Sequence, residues 1–187
     1  DAETEDHVKI AGRIMAMRNS GMFIVLDDGF EKIQIFCHKN HLTPEQLTDL
    51  KLFDIGDWMG VEGFVRRTKR GELTINALAF TMLSKSLRPL PEKYHGLTDI
   101  ETRYRQRYLD LIMNEETRDR LRKRSLITST LRAFLIGRGF LEVETPMLHT
   151  IAGGAAALPF KTHHNALNME MFMRIAPELH LKRLIIG

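Results

Sequence analysis

The residues able to do chemistry fall into a few groups. Glu178 follows Pro177 at the start of a helical run. Its carboxylate there either complements the helix N-terminus or faces an ammonium-bearing ligand. Gly153-Gly154, followed by Ala155-Ala156-Ala157, is a small-residue segment on which a substrate site can be hung. His163-His164 is a metal-type pair, but no Cys or His partner stands at zinc-ligand spacing, so metal coordination by this pair is set aside. In the first half, Phe23 and Phe36 are either stacking surfaces for bases or core aromatics. Arg66-Arg67 with Lys69-Arg70 either meet phosphates or form a solvated turn. Cys37 is the only cysteine and lies in a strand pattern, which reads as a small buried hydrophobe.

The elements that position these groups differ between the halves. Val8, Ile10, Gly12, Ile14 and Ala16 alternate with polar residues, the period of a half-buried strand. Arg18-Asn-Ser-Gly21 reads as a turn and Met22–Asp27 as a second strand. Asp27-Asp28-Gly29 leads into a third, in which Ile33, Ile35 and Cys37 alternate with Lys32, Gln34 and Phe36. Thr43-Pro44-Glu45-Gln46 is a capping box opening a short helix to about Leu52. Strands near Trp58–Arg67 and Glu72–Leu83 follow. The order β-β-β-α-β-β predicts a five-stranded OB barrel over residues 1–84, a fold that commonly binds oligonucleotides.

Residues 85–100 read as a stiff linker containing Pro89 and Pro91, and 101–187 as a second, α+β domain. Thr98-Asp-Ile-Glu101 predicts a capped helix through Tyr104, Tyr108, Leu109 and Ile112. A longer helix follows Asn114-Glu115-Glu116. It carries Leu121, Ile127, Leu131, Phe134 and Leu135 on one side and Arg118, Arg120, Arg122, Lys123 and Arg124 on the other. That basic side is either a contact with nucleic acid or a subunit, or a solvated face. Gly139 is placed as its left-handed stop. Phe140–Thr145 is an expected strand ended by Pro146. Leu158–Lys161, Met169–Ile175 and Leu184-Ile185-Ile186 are further strand expectations, with a short helix through Leu179 and Leu181.

Composition bounds the class. The chain has 187 residues, 43% hydrophobic and 27% charged, enough apolar mass for a real core. A single cysteine excludes an internal disulfide framework, and no apolar run reaches the roughly 18–20 residues that span a bilayer. The first residues are acidic where a signal peptide is basic, so a cytoplasmic location and no membrane are expected. Net charge is +3, but residues 1–84 carry ten Lys/Arg against thirteen Asp/Glu, while 85–187 carry seventeen against eleven. A nucleic-acid surface on the first half must therefore be a local patch, since its bulk charge is negative.

Several segments together are recognisable: Arg88-Pro-Leu-Pro, His95-Gly96-Leu97, Arg103-Tyr-Arg-Gln-Arg-Tyr-Leu-Asp-Leu111, Glu142-Val-Glu-Thr-Pro146, Gly153-Gly-Ala-Ala-Ala157, Thr162-His-His-Asn165 and Arg174-Ile-Ala-Pro-Glu-Leu179. In this order and spacing the sequence resembles the class II lysyl-tRNA synthetases of bacterial type. The resemblance implies that the barrel binds the anticodon, with Phe23 stacking on a base and Arg18, Gln34 and Glu72 bonding base edges. It implies that the long helix and the segment ending at Pro146 are motif 1, the dimer interface of the family. It implies that Gly154 and Glu178 hold the α-amino end of lysine. Lysine, its cognate tRNA, ATP and Mg²⁺ are the implied ligands, and a homodimer the implied assembly. In the family the ATP motifs and the Mg²⁺ carboxylates lie C-terminal to the equivalent of Gly187. The chain is therefore expected to be an N-terminal segment without catalytic or metal-binding residues, inactive alone. A non-catalytic tRNA-binding or dimerisation module is the competing expectation.

Overall fold

The structure is a computed structural model that describes residues 2–91 and 97–187. His95 and Gly96 of one recognised motif, and part of the expected linker, lie outside the described residues. The chain divides into two compact units, residues 1–121 and 122–187.

In the first unit, strands β1 (Ala2–Arg18), β2 (Phe23–Asp27), β3 (Lys32–Phe36), β4 (Trp58–Arg67) and β5 (Leu73–Ser84) close a barrel in the order β1-β2-β3-β5-β4. All neighbours are antiparallel except β3 and β5. This is the OB arrangement that the alternation predicts. β1 is long enough to pair with β4 through one half and with β2 through the other, and that shared strand closes the sheet. Its interior is filled by Ile14, Ile24, Leu26, Ile35, Met59 and Ile75, each at most 1% exposed. β4 and β5 approach so closely at Gly63 that a Cβ there would stand 1.9 Å from the Asn76 carbonyl oxygen. Cys37 is core as expected, and burial pushes its thiol up to about 12.

The turns follow their residue chemistry. Asn19, Ser20 and Gly21 take positive φ between β1 and β2. Between β2 and β3, Asp27 Oδ1 accepts from the Gly29 N–H at 2.7 Å, and Asp28 Oδ1 accepts from Phe30 and Glu31 at 2.8 and 2.9 Å. Helix α1 (Pro44–Asp49) has both halves of its capping box, and a 3₁₀ turn carries it to Leu52. At one end of the barrel the buried Asp57 accepts from Lys85 Nζ (2.8 Å) and from the N–H groups of Asp54 and Ser86. Burial pushes this carboxyl up, but the bonds from Lys85, Asp54 and Ser86 outweigh it and hold it below the usual range. The segment leaving the barrel is thereby pinned at its start.

Helices α2 (Ile100–Arg105), α3 (Arg107–Met113) and the start of α4 (Glu115–Ile136) belong to the same unit. Here the structure departs from three expectations. The N-cap is Asp99, not Thr98: its carboxylate accepts from the Thr102 N–H at 2.7 Å, while Glu101 bonds Arg105 instead of closing a box. The single predicted helix breaks at Gln106 (φ −116°, ψ 58°). Around the break Asp110, fully buried, accepts from Arg103 Nε (2.9 Å), Asn114 Nδ2 (2.5 Å), Thr117 Oγ1 (3.2 Å) and Arg107. Arg118 is not on a solvated face: it pairs with Asp27 of β2 at 3.2 Å, both side chains largely buried.

In α4 the expected apolar stripe is exposed along its length, Ile127 at 67% and Phe134 at 50%. The helix ends in a Schellman motif, with Gly139 at φ 84°: the Phe140 N–H bonds the Leu135 carbonyl and the Gly139 N–H that of Ile136. Phe140–Thr145 is not a strand. It has no ladder partners among the described residues, and Arg132 Nε donates to both carboxylate oxygens of Glu142 at 2.7 and 2.8 Å. A small sheet follows: β6 (Leu148–His149), β7 (Lys161–His164) and β8 (Met169–Met173) in the order β6-β8-β7. Helix α5 (Glu178–Ile186) then absorbs Leu184-Ile185-Ile186, which had read as a strand. A three-residue apolar run fits either period, and here it continues a helix that a Glu178–Lys182 pair supports.

Candidate nucleic-acid interface and amino-acid site

The barrel presents a continuous row of side chains on the outside of its sheet. Arg18 lies opposite Phe23, Phe23 opposite Phe36, Phe36 opposite Asn76 and Asn76 opposite Phe64. Because Ile24, Ile35 and Ile75 point inward, the residues flanking them lie on the opposite face of the sheet, where Thr74 and Asn76 are nonetheless covered by neighbours. The Phe23 and Phe36 rings stand 4.9 Å apart at 33°. His38 stacks on Phe36 at 5.2 Å, and the Arg66 guanidinium lies 4.5 Å from the Phe36 centroid. Phe36 is thus covered by neighbours, and the ring beside it, Phe23, is half-buried. Neither ring belongs to the buried core.

Gln34 stands in the next row, opposite Val25 and Thr74. It is only 8% exposed, and its Nε2 donates to Thr74 Oγ1 at 3.1 Å. That bond fixes which way the amide points, an orientation that strand periodicity does not foretell. Glu72 is exposed just before β5, on the same side as Thr74 two residues on. Arg18, Phe23 and Gln34 are therefore neighbours on one face, with Glu72 at its margin.

In the second unit, Gly154 has φ 99°, a conformation that L side chains rarely adopt. A Cβ there would lie 3.5 Å from the Ala176 carbonyl oxygen, and one on Gly153 would lie 3.6 Å from Leu179. The glycine pair thus lies against the segment that leads into α5. Glu178 opens that helix after Pro177, and Lys182 Nζ donates to it at 2.6 Å. The hydrogen bond and charge of Lys182 hold the Glu178 carboxyl below its usual range. Arg174 Nη1 donates to Thr145 Oγ1 (2.6 Å) and to the Thr145 carbonyl (3.1 Å), tying the residue before Pro146 to the segment between β8 and Glu178. Arg174 and Thr145 were quoted only as parts of motifs, and their pairing is legible only in three dimensions. The His163-His164 pair lies in β7, where His164 Nδ1 accepts from the Leu167 N–H. Among the described residues no group of three or more His, Cys, Asp or Glu is arranged to hold a metal ion.

Comparison with known proteins accounts for both halves. Residues 8–83 match the family described as OB-fold nucleic acid binding domain, and residues 99–187 match tRNA synthetases class II (D, K and N). The second half of the chain is thus similar to class II tRNA synthetases, and the first half to OB-fold nucleic-acid-binding domains. Across both halves, the similarity is to lysine–tRNA ligases. The chain is 60% identical over 188 residues to that of Sinorhizobium medicae and 59% over 187 to that of Rhizobium meliloti, in each case across the whole chain. It is 57% identical over 180 residues, 96% of the chain, to that of Pseudomonas aeruginosa LESB58. The chain spans 36–38% of the length of these relatives.

Proposed function

We propose that this chain is the tRNA-recognising front and part of the amino-acid site of a lysine–tRNA ligase. Residues 1–84 act as the anticodon-binding domain, 85–100 as the connection, and 101–187 as the first part of the catalytic domain. The observation that carries the reading is the outer face of the barrel, where Arg18, Phe23 and Gln34 converge and Glu72 borders them. A ring for stacking beside polar groups for Watson–Crick edges is what single-stranded RNA needs. Phe23 stacks on a base of the anticodon of tRNA-Lys, while Arg18, Gln34 and Glu72 bond base edges. Gly154 gives backbone access to lysine, and the Glu178 carboxylate neutralises its α-ammonium.

ATP is the co-substrate of the whole enzyme and Mg²⁺ its cofactor: the lysine carboxylate attacks the α-phosphorus with loss of pyrophosphate, and a hydroxyl at the 3′ end of the tRNA then takes the lysyl group from the adenylate with release of AMP. The described residues offer no donor set for the metal, so none of these steps is assigned to them. What they contribute is binding and orientation. The exposed apolar side of α4 and the segment to Pro146 supply the contact between subunits of a homodimer. The enzyme acts in the cytoplasm; among the described residues no helix is long and apolar enough to cross a membrane.

A second reading is a tRNA-binding or dimerisation module without catalysis, for which the barrel's own closed core and the exposed apolar side of α4 would suffice. Amino-acid-dependent ATP–pyrophosphate exchange by the intact protein carrying this chain separates the two. Exchange driven by lysine supports the ligase. Exchange driven by another amino acid, or none in a folded protein that binds tRNA, contradicts it.

A further inference from the structure

Arg66 stands apart from the basic turn with which it shares a sequence run. Arg67 Nη1 donates to the Gly71 carbonyl at 3.0 Å and so braces the β4–β5 turn, and Lys69 and Arg70 are exposed in that turn. Arg66 instead lies on the outer face, opposite Thr74, which is itself opposite Gln34. Its guanidinium is laid over Phe36 at 4.5 Å. No carboxylate among the described side chains pairs with it, and its Nε is buried without a hydrogen-bond partner. Arg66 as a whole is only half-buried, so a cation without a carboxylate partner stands on this face for an anion to meet. Stacking on an aromatic ring fixes the plane of the guanidinium, and the fork then presents parallel donors to a planar or tetrahedral oxyanion. From Gln34 to Arg66 is two strand steps, about 10 Å across the sheet.

The geometry points to Arg66 as a phosphate clamp for the RNA strand whose bases meet Phe23 and Gln34, with Phe36 as the positioning residue that holds it. This rests on the anticodon-binding reading of the same face and adds a backbone contact to it. The acceptor is a phosphodiester, because the barrel's bulk charge is negative and a polyanion must be held there by local cations on the face that meets its bases. The ring of Phe36 is then a support for Arg66 and not a second base platform, since Arg66 and His38 already occupy it.

The test is binding of an anticodon stem-loop RNA to the full chain across a salt series, with Arg66→Ala, Arg66→Lys and Phe23→Ala side by side. Trp58 fluorescence checks that each variant is folded. Arg66→Ala is expected to weaken binding roughly fivefold to tenfold and to lower the slope of log K against log salt by about 0.7, one single-strand phosphate contact. Arg66→Lys keeps the slope but restores only part of the affinity, because an ammonium provides no planar fork. Wild-type binding that Phe23→Ala weakens and Arg66→Ala leaves unchanged overturns the clamp while the anticodon reading stands. A loss of affinity with the slope unchanged makes Arg66 a base-edge contact and overturns the phosphate assignment. A folded wild-type chain that binds no RNA overturns the anticodon reading, and the clamp with it.

Discussion

Replacing Asp110 by Asn tests what holds the helices of the first unit together. The wild-type carboxylate is fully buried and receives Arg103, Arg107, Asn114 and Thr117. Asn keeps the volume but removes the charge and turns one acceptor into a donor facing other donors. Two arginines then lose their counter-charge. Truncating a buried pair costs about 3–5 kcal/mol, and the lower end applies because Arg103 and Arg107 are 29% and 39% exposed and partly rehydrate. A loss of about 3 kcal/mol with a urea slope of about 2 kcal/mol/M moves the midpoint down by about 1.5 M. The only tryptophan, Trp58, lines a cleft of about 220 Å³ with Leu111 and Ile112 of α3, so its fluorescence follows this region. Burial pushes the Asp110 carboxyl up, yet the bonds from Asn114, Arg103 and Thr117 prevail and leave it lowered. A carboxyl lowered in the folded state contributes stability above the unfolded value of about 3.9, and that contribution is lost as pH falls through the folded value. Wild type should therefore lose stability below about pH 4, and the Asn variant should lose less over that window. A midpoint shift under about 0.3 M would refute the argument that this network holds the junction.

Two further substitutions probe the frame and the amino-acid site. Gly63→Ala places a methyl against the Asn76 carbonyl and should cost about 1–3 kcal/mol in denaturant unfolding; an unchanged midpoint would mean that β4 and β5 do not pack this closely. Glu178→Gln in the intact enzyme should raise the KM for lysine roughly tenfold or more, with α5 helicity retained by circular dichroism, whereas an unchanged KM assigns Glu178 to the helix terminus alone.

The barrel was legible because its signals are local. Period-2 runs, Asp27-Asp28-Gly29 and the Thr43–Gln46 box each specify an element without help from distant residues. The second half depends on contacts that spacing does not reveal. Asp110 is one polar residue among several in a helical run, yet it organises residues on both sides of a break at Gln106. Phe140–Thr145 alternates like a strand but has no ladder partner among the described residues, and Leu184–Ile186 was too short for its period to separate helix from strand. Roles for Arg18, Gln34 and Glu72 came from family resemblance, since nothing in strand periodicity marks a base-edge contact. Arg66 was hidden in the run Arg66–Arg70, and only the stacking on Phe36 distinguishes it.

The most direct test of the central claim is the affinity of the chain for an anticodon stem-loop bearing the lysine anticodon, against the same hairpin with those bases changed. The account predicts preference for the lysine anticodon and a loss of about 1–3 kcal/mol in Phe23→Ala, which also narrows the preference. Equal affinity for both hairpins, unaltered by Phe23→Ala in a folded protein, would contradict it.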